Sequence, residues 1–393
     1  MKNISNIRNF QTLSSVFLAL GVIGLLVWVV ADEVRRSELS ALRLPVAGDL
    51  GVNADKQASL RQSISVSLAS APLDQKLLAQ FLILSEDGSE RAKGYPLLAN
   101  LGWRSTAAQQ LLLAEALEGQ DLREIMERSD GLLRRGRYSD ELISLMLAAE
   151  QDPAGRRWLV GALRSNPPWA GRFFGRSSGL ESEAALRAHG ILLGDLMDAE
   201  IAVGRNQLRS GLSAMVDRGL FEEAYSLFER SVPVKADKRG LVDPDFTLAF
   251  AVQRSGEGSH PFEWTVTSGP GINSRLVSAG DKTFLNLRWD GRGNPLLLRQ
   301  FFRPQGLDIS QLLLTSRDGD SAVLERSAQI FVSCADRPTD KVRFIPAEQD
   351  DGSLLYRAER PLSCDFAKLE VLGLARGFGN RELNIQIDRI SFI

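Results

Sequence analysis

From about Ala54 to Val232 the apolar positions recur at three- and four-residue spacings, as in LLAQFLIL, AAQQLLLAEAL, DELISLMLAA and EAALRAHGILL. That period is the signature of amphipathic helices. Polar or glycine-containing breaks (EDGSE, EGQD, RRGRYSD, EQDPAG) separate these runs. Helices joined by such short connections pack antiparallel to their neighbours, so the pattern predicts a stack of helical hairpins over 55–232. Near Val232 the periodicity stops. Short β-rich runs follow, among them FEWTVT, FLNLRW, LLLRQFF, AQIFVSC, KLEVLG and LNIQIDRISF, divided by SGPG, DGRGNP, QDDG and GFGN. Gly, Asp, Asn and Pro at these breaks are turn formers. About nine strands with no helix between them predict a β-sandwich of jelly-roll type over 233–393.

The amino terminus departs from both patterns. Between Arg8 and Asp32 lie 23 uncharged residues, and Val16–Ala31 is almost wholly apolar. At about 1.5 Å per residue, 23 helical residues reach roughly 34 Å, enough for a bilayer's hydrocarbon layer. The expectation is a cytoplasmic tail (1–15), a single-pass transmembrane signal anchor (16–31) and a linker (32–54) broken by Pro45, Gly48 and Gly51. A cleaved signal peptide ending at Ala31 is the rival reading, and Trp28 at an interfacial position favours the anchor.

Composition narrows the classes. The 393 residues carry a net charge of −2 and are 44% hydrophobic, against both disorder and a dedicated nucleic-acid surface. Two cysteines and two histidines cannot supply a thiolate-based metal site, and no cofactor is expected. Cys334 and Cys364 lie 30 positions apart in the strand-like region. Paired, they would close a loop that persists only in an oxidising compartment, placing everything after Ala31 outside the cytoplasm, as a large periplasmic body. Unpaired, they would be two buried thiols in a reducing one.

Two resemblances add to this. Gly219–Phe228 (GLFEEAYSLF) is similar to the second helix of a tetratricopeptide repeat, although no first-helix signature occurs anywhere in the chain. More broadly, the chain resembles envelope proteins of proteobacterial polysaccharide-export loci, which join a tetratricopeptide-like region to a carbohydrate-binding-module-like sandwich. The matching residues are Asp243-Pro244-Asp245-Phe246, Pro261-Phe262-Glu263-Trp264, Leu285–Gly291, Ile387-Asp388-Arg389-Ile390 and the two cysteines. In the helical part they are Gly131–Arg135 and Asn166-Pro167-Pro168-Trp169. The resemblance implies a non-enzymatic accessory role in exopolysaccharide or capsule assembly at the inner membrane. Its partners would be polysaccharide-assembly or other envelope proteins, and the polymer itself. A general envelope adaptor without glycan contact is the alternative, and a glycan-processing enzyme ranks below both.

Candidate chemistry is sparse. Arg156, Arg157, Arg172 and Arg176 lie in a stretch, 153–180, that has no acidic residue and is interleaved with Trp158, Trp169, Phe173 and Phe174. It reads either as a surface for an anionic ligand or partner, or as a solvated helix face above an aromatic core. Period-two alternation puts Trp264 and Trp289 with apolar neighbours, hence in the core; Tyr356 and Phe378, close to turns, are the candidate glycan contacts. Gly175–Gly179 matches G-x-S-x-G but has no strand before it. His189 sits on an apolar helix face, and His260 precedes Pro261 in a loop expected to meet water. The acidic pairs at 243/245, 318/320 and 350/351 read as turn residues.

Overall fold

The computed structural model describes residues 54–393, except 86, 103–104, 138, 233–235, 238, 281, 305–308, 317–326, 351–352 and 375–382. The expected transmembrane anchor and the tail before it lie outside the described residues, as does nearly all of the linker. Among the described residues no helix is long and apolar enough to cross a membrane. The chain forms two compact units that divide between Phe173 and Phe174.

The first unit is helical: α1 (Ala54–Ser70), α2 (Gln75–Leu84), α3 (Gly88–Leu101), α4 (Thr106–Glu118), α5 (Leu122–Leu133), α6 (Ser139–Ala149), α7 (Pro153–Leu163) and the start of α8 (Ala170–Arg176). Each helix from α1 to α6 packs on the next in sequence, with longer-range contacts of α2 with α4 and of α5 with α7. Asp74, Asp87, Ser105, Asp121 and Asp152 start helices by accepting hydrogen bonds from the first-turn amides. Asp152 takes the amides of Ala154 and Gly155, with Pro153 at the first helical position, where its missing N–H costs nothing. Asp152→Ala is expected to lower the unit's stability by about 1 kcal/mol in urea unfolding followed by circular dichroism.

The second unit begins with α9 (Glu183–Asp198), α10 (Arg205–Asp217) and α11 (Phe221–Ser231), which pack mutually. Gly219 opens the turn into α11 at φ +78°, a conformation that side chains resist. Then comes α12 (Thr247–Ser255), which the sequence pattern did not announce, and ten strands. These are β1 (Thr265–Val266), β2 (Ile272–Ala279), β3 (Lys282–Trp289), β4 (Leu296–Phe302), β5 (Ile309–Ser316), β6 (Ala328–Cys334), β7 (Lys341–Asp350), β8 (Ser353–Leu362), β9 (Ala367–Gly373) and β10 (Leu383–Phe392).

All neighbouring strands are antiparallel, in the order β1-β4-β9-β6-β7-β8-β5-β10-β3-β2. The edges meet through the turn that joins β1 to β2. There the Thr267 amide donates to Leu297 beside β1, while Ser274 on β2 donates its hydroxyl to the Thr267 carbonyl. The result is a near-barrel whose two edges touch at this turn. Elsewhere α12 covers β2, where Gln253 accepts the Leu276 amide. One core fills the interior. It includes Trp264, Trp289, Phe302, Phe344 and Phe392, all almost fully buried, as the alternation of the tryptophans requires.

Candidate functional site

The two motifs Asp243–Phe246 and Pro261–Trp264 build the joint between the helices and the sheet of the second unit. The Asp243 carboxylate accepts the amides of Leu248 (2.9 Å) and Ala249 (2.8 Å), starting α12. Its carbonyl accepts the Trp264 indole N–H at 2.9 Å. Burial raises the Asp243 carboxyl to about 7, against the pull of those amides. Glu263, itself buried, pairs with Arg205 of α10 and accepts the His260 amide at 2.9 Å. Phe262 packs against Tyr225 and Phe228 of α11 and against Phe366, at ring separations of 5.1, 5.4 and 6.5 Å. His260 is 1% exposed, so the expectation that it meets water is corrected. It lies edge-on to Phe228, and burial beside Arg205 and Arg209 lowers its pKa to about 3.

Above this joint lies a cleft of about 970 Å³. One wall is the first turns of α11, from Phe221 to Tyr225, and the other is three loops, β4–β5, β6–β7 and β8–β9, at one end of the sheet. Its apolar surface is Phe221, Tyr225 and Phe366. Phe366 lies 5.7 Å from the Phe221 ring and 5.8 Å from that of Tyr225. The Arg303 guanidinium caps Tyr225 and Phe366 at 6.0 and 5.7 Å and pairs with Glu222 at 3.1 Å. Gly240 supports the β4–β5 loop from behind at φ +97°, and any Cβ there would lie 1.9 Å from the Arg303 carbonyl.

Two further ion pairs stand at the rim, Arg187–Glu223 (2.9 Å) and Arg337–Asp336 (3.4 Å). Glu223 is held below the usual carboxylate range by its hydrogen bond from Arg187, and its own backbone amide adds to this. Burial, with Glu229 as neighbour and hydrogen-bond acceptor, pushes the Tyr225 phenol up to about 12. Cys364 also lines the cleft and is bonded to buried Cys334, with their Cα atoms 5.5 Å apart. Arg337 donates to the Cys334 sulfur at 3.4 Å.

The residues singled out from sequence fall elsewhere. Arg156 donates to the Glu150 carbonyl and Arg172 to the Ser139 hydroxyl, both at 2.6 Å. Arg157 is exposed, and Arg176 ends α8 with a partner of its own. Of the aromatics among them Trp169, Phe173 and Phe174 are core and Trp158 is half-buried: Trp169 donates to Asp130 at 2.7 Å and meets Phe173 edge-on.

Tyr356 is 3% exposed and faces the sheet interior, which corrects its assignment as a glycan contact. It is the fourth residue of β8 and shares a face with Leu354. Phe378 lies outside the described residues, as do both members of the acidic pair at 318/320; at 350/351 no side chain is described. Ser177, at the centre of Gly175–Gly179, is buried and donates to the Phe174 carbonyl at 2.7 Å, so the motif is a helix end and not a nucleophile turn. Among the described residues no group of three metal-ligating side chains converges.

Sequence reasoning did not find the cleft. Its charged residues come from five separate segments between 187 and 365, and only the FEEAY run had drawn attention, as a repeat helix. No family model matches the chain, and no curated protein matches it either.

Proposed function

We propose that this chain is a non-enzymatic accessory protein of surface-polysaccharide assembly or export, held in the inner membrane by its amino-terminal segment with its body in the periplasm. In this reading the helical hairpins dock a protein of the machinery, and the sheet contacts polymer or partner. The observation that carries the proposal is the joint. The residues on which the resemblance to export-locus envelope proteins rests, Asp243–Phe246 and Pro261–Trp264, interlock through the Trp264–Asp243 hydrogen bond. Together they fix a helical hairpin onto the sheet.

Three features support the reading. We take the sheet as a jelly roll, because eight consecutive strands fall into the two runs β3-β10-β5-β8 and β4-β9-β6-β7 of a double Greek key. The Cys334–Cys364 bond fits an oxidising compartment. Stacked helical hairpins offer extended surfaces suited to protein docking.

The test is the amount and chain length of cell-surface and secreted polysaccharide in a strain lacking the gene. That strain is complemented with the full chain or with the chain cut before Val232. Loss of polymer, restored by the full chain alone, is the expected result. Unchanged polymer would overturn the proposal in favour of a general envelope adaptor.

A further inference from the structure

The cleft beside the disulfide shares Tyr225 and Phe366 with the joint, but its rim takes no part in the joint, and its chemistry is specific. At about 970 Å³ it stands at the upper end of the range of roughly 300–1,000 Å³ typical of ligand sites. Its rim is made of three arginine–carboxylate pairs. In each pair the charges offset one another, yet both groups keep hydrogen-bonding capacity facing outward. A carboxylate has about four acceptor positions and a guanidinium five donors, more than one partner consumes. Such a rim offers donors and acceptors side by side. That suits a ligand whose groups both give and take hydrogen bonds, as vicinal hydroxyls do.

The charge balance excludes anions. With each arginine paired, Glu229 and Asp365 remain uncompensated. Among the described residues Glu229 accepts only the neutral Tyr225 phenol, and Asp365 is exposed with no partner. The one feature that would favour an anion, the amino-terminal end of α11, is already met by Glu222 and Glu223, the latter accepting its own amide. An apolar ligand fits no better, since only the aromatic surface at the back would receive it.

We propose that this cleft binds a short stretch of a hydroxyl-rich glycan that carries no negative charge, either neutral or bearing amines. The proposal rests on the reading of the protein as a polysaccharide accessory and names the site and the ligand chemistry. Hydroxyls bridge the arginine–carboxylate pairs at the rim. The sugar's apolar C–H groups rest in van der Waals contact on the small surface of Phe221 and Phe366 that the cleft leaves open. Where amines are present they meet Glu229 and Asp365.

The test uses the full-length protein in a detergent without a sugar headgroup. It is titrated calorimetrically with a panel of neutral, amine-bearing and uronic oligosaccharides of several linkages, and with trilysine. Saturable binding of a neutral or an amine-bearing member, with no binding of uronic ones, is expected, and the two arms identify which chemistry the site takes. Two exposed residues outside the joint serve as variants, Asp365→Arg and Arg337→Ala. Arg337→Ala is expected to weaken binding of whichever members bind about tenfold, the scale of one lost charge-assisted hydrogen bond, and Asp365→Arg to weaken amine-bearing members by as much with its melting temperature unchanged.

Absence of binding across the panel would overturn the proposal. So would equal binding of uronic members, trilysine binding as tightly as the amine-bearing members, or unchanged affinity in both variants. Polymer loss in the deletion strain without binding here would sink the site and leave the function standing. Binding here with unchanged polymer would do the reverse.

Discussion

Replacing both cysteines in a Cys334→Ala/Cys364→Ala protein is expected to lower the stability of the second unit by about 3–4 kcal/mol, or roughly 10 °C in melting temperature. The bond closes a loop of 30 positions and so lowers the entropy of the unfolded state; once it is gone the unfolded chain regains that entropy and folding has to bear the cost of the closure. The loss should also be localised. Cys364 is followed by Asp365 and Phe366, and Phe366 sits among Phe221, Tyr225 and Phe262 while its carbonyl accepts the Ala335 amide at 2.8 Å. Freed of the bond, residues 363–366 lose their covalent tether to β6, and the aromatic contact with α11 loosens first. Hydrogen exchange should rise in α11 before it rises in β3 or β10, whose ladder is independent of the cysteines. Reduction of the native protein should reproduce both effects. A double variant within 1 kcal/mol of the native protein, or uniform exchange across the unit, would show that the bond staples nothing at this joint.

How much of this was legible in the sequence depends on whether a feature is local. Helix starts are local: an Asp or Ser whose side chain takes the first amides can be read directly, and Asp74, Asp121 and Asp152 do this. Strands flanked by turn residues are local too, and LLLRQFF and AQIFVSC coincide with β4 and β6. Strand β2 escaped because INSRLVSA is an outer strand with much of its length exposed, so it lacks the apolar run that marks its neighbours. Helix α12 escaped because TLAFAVQRS is only nine residues long and is started by Asp243, four residues before it, and not by an adjacent cap.

The joint and the cleft were illegible for a different reason. Tyr225, Phe262 and Phe366 are 141 positions apart at their extremes, and only the strand order brings the β4–β5, β6–β7 and β8–β9 loops to one end. Period-two reading tells which face a residue is on, and it placed Trp264 and Trp289 correctly. Applied to β8 it also places Tyr356 inward with Leu354. It cannot tell which loops meet. His260 shows the same limit: a loop histidine before a proline looks exposed until α11 is laid across it.

That joint holds two buried titrating groups whose effects oppose each other, which gives an expected result of similar size. Asp243, 4% exposed, titrates at about 7 in the folded chain against an ordinary 3.8. Its folded form keeps a proton that the unfolded form releases, so its contribution is complete below 3.8 and is lost as pH rises to about 7. His260 runs the other way, at about 3 against 6.5: its contribution is complete above 6.5 and is lost as pH falls to about 3. Between 3.8 and 6.5 each group alone would give a slope of about 1.4 kcal/mol per pH unit, with opposite signs, so together they cancel. Asp243→Asn removes the falling component, and its stability should rise relative to the native protein by about 3–4 kcal/mol across that window. His260→Gln removes the rising one and should fall by a similar amount. Both variants also carry a fixed cost, about 1–2 kcal/mol for the Asn, which can satisfy only one of the two amides at the start of α12. That cost shifts the curve without tilting it. Carboxylates common to all three proteins, such as Glu370 with its lysine partners, drop out of the comparison. Urea unfolding at pH 4, 5 and 6 measures the tilt directly. Parallel curves for the native protein and Asp243→Asn would mean that Asp243 is already ionised in the folded chain, its two amide donors outweighing its burial; parallel curves for the native protein and His260→Gln would mean the same proton uptake by His260 folded and unfolded.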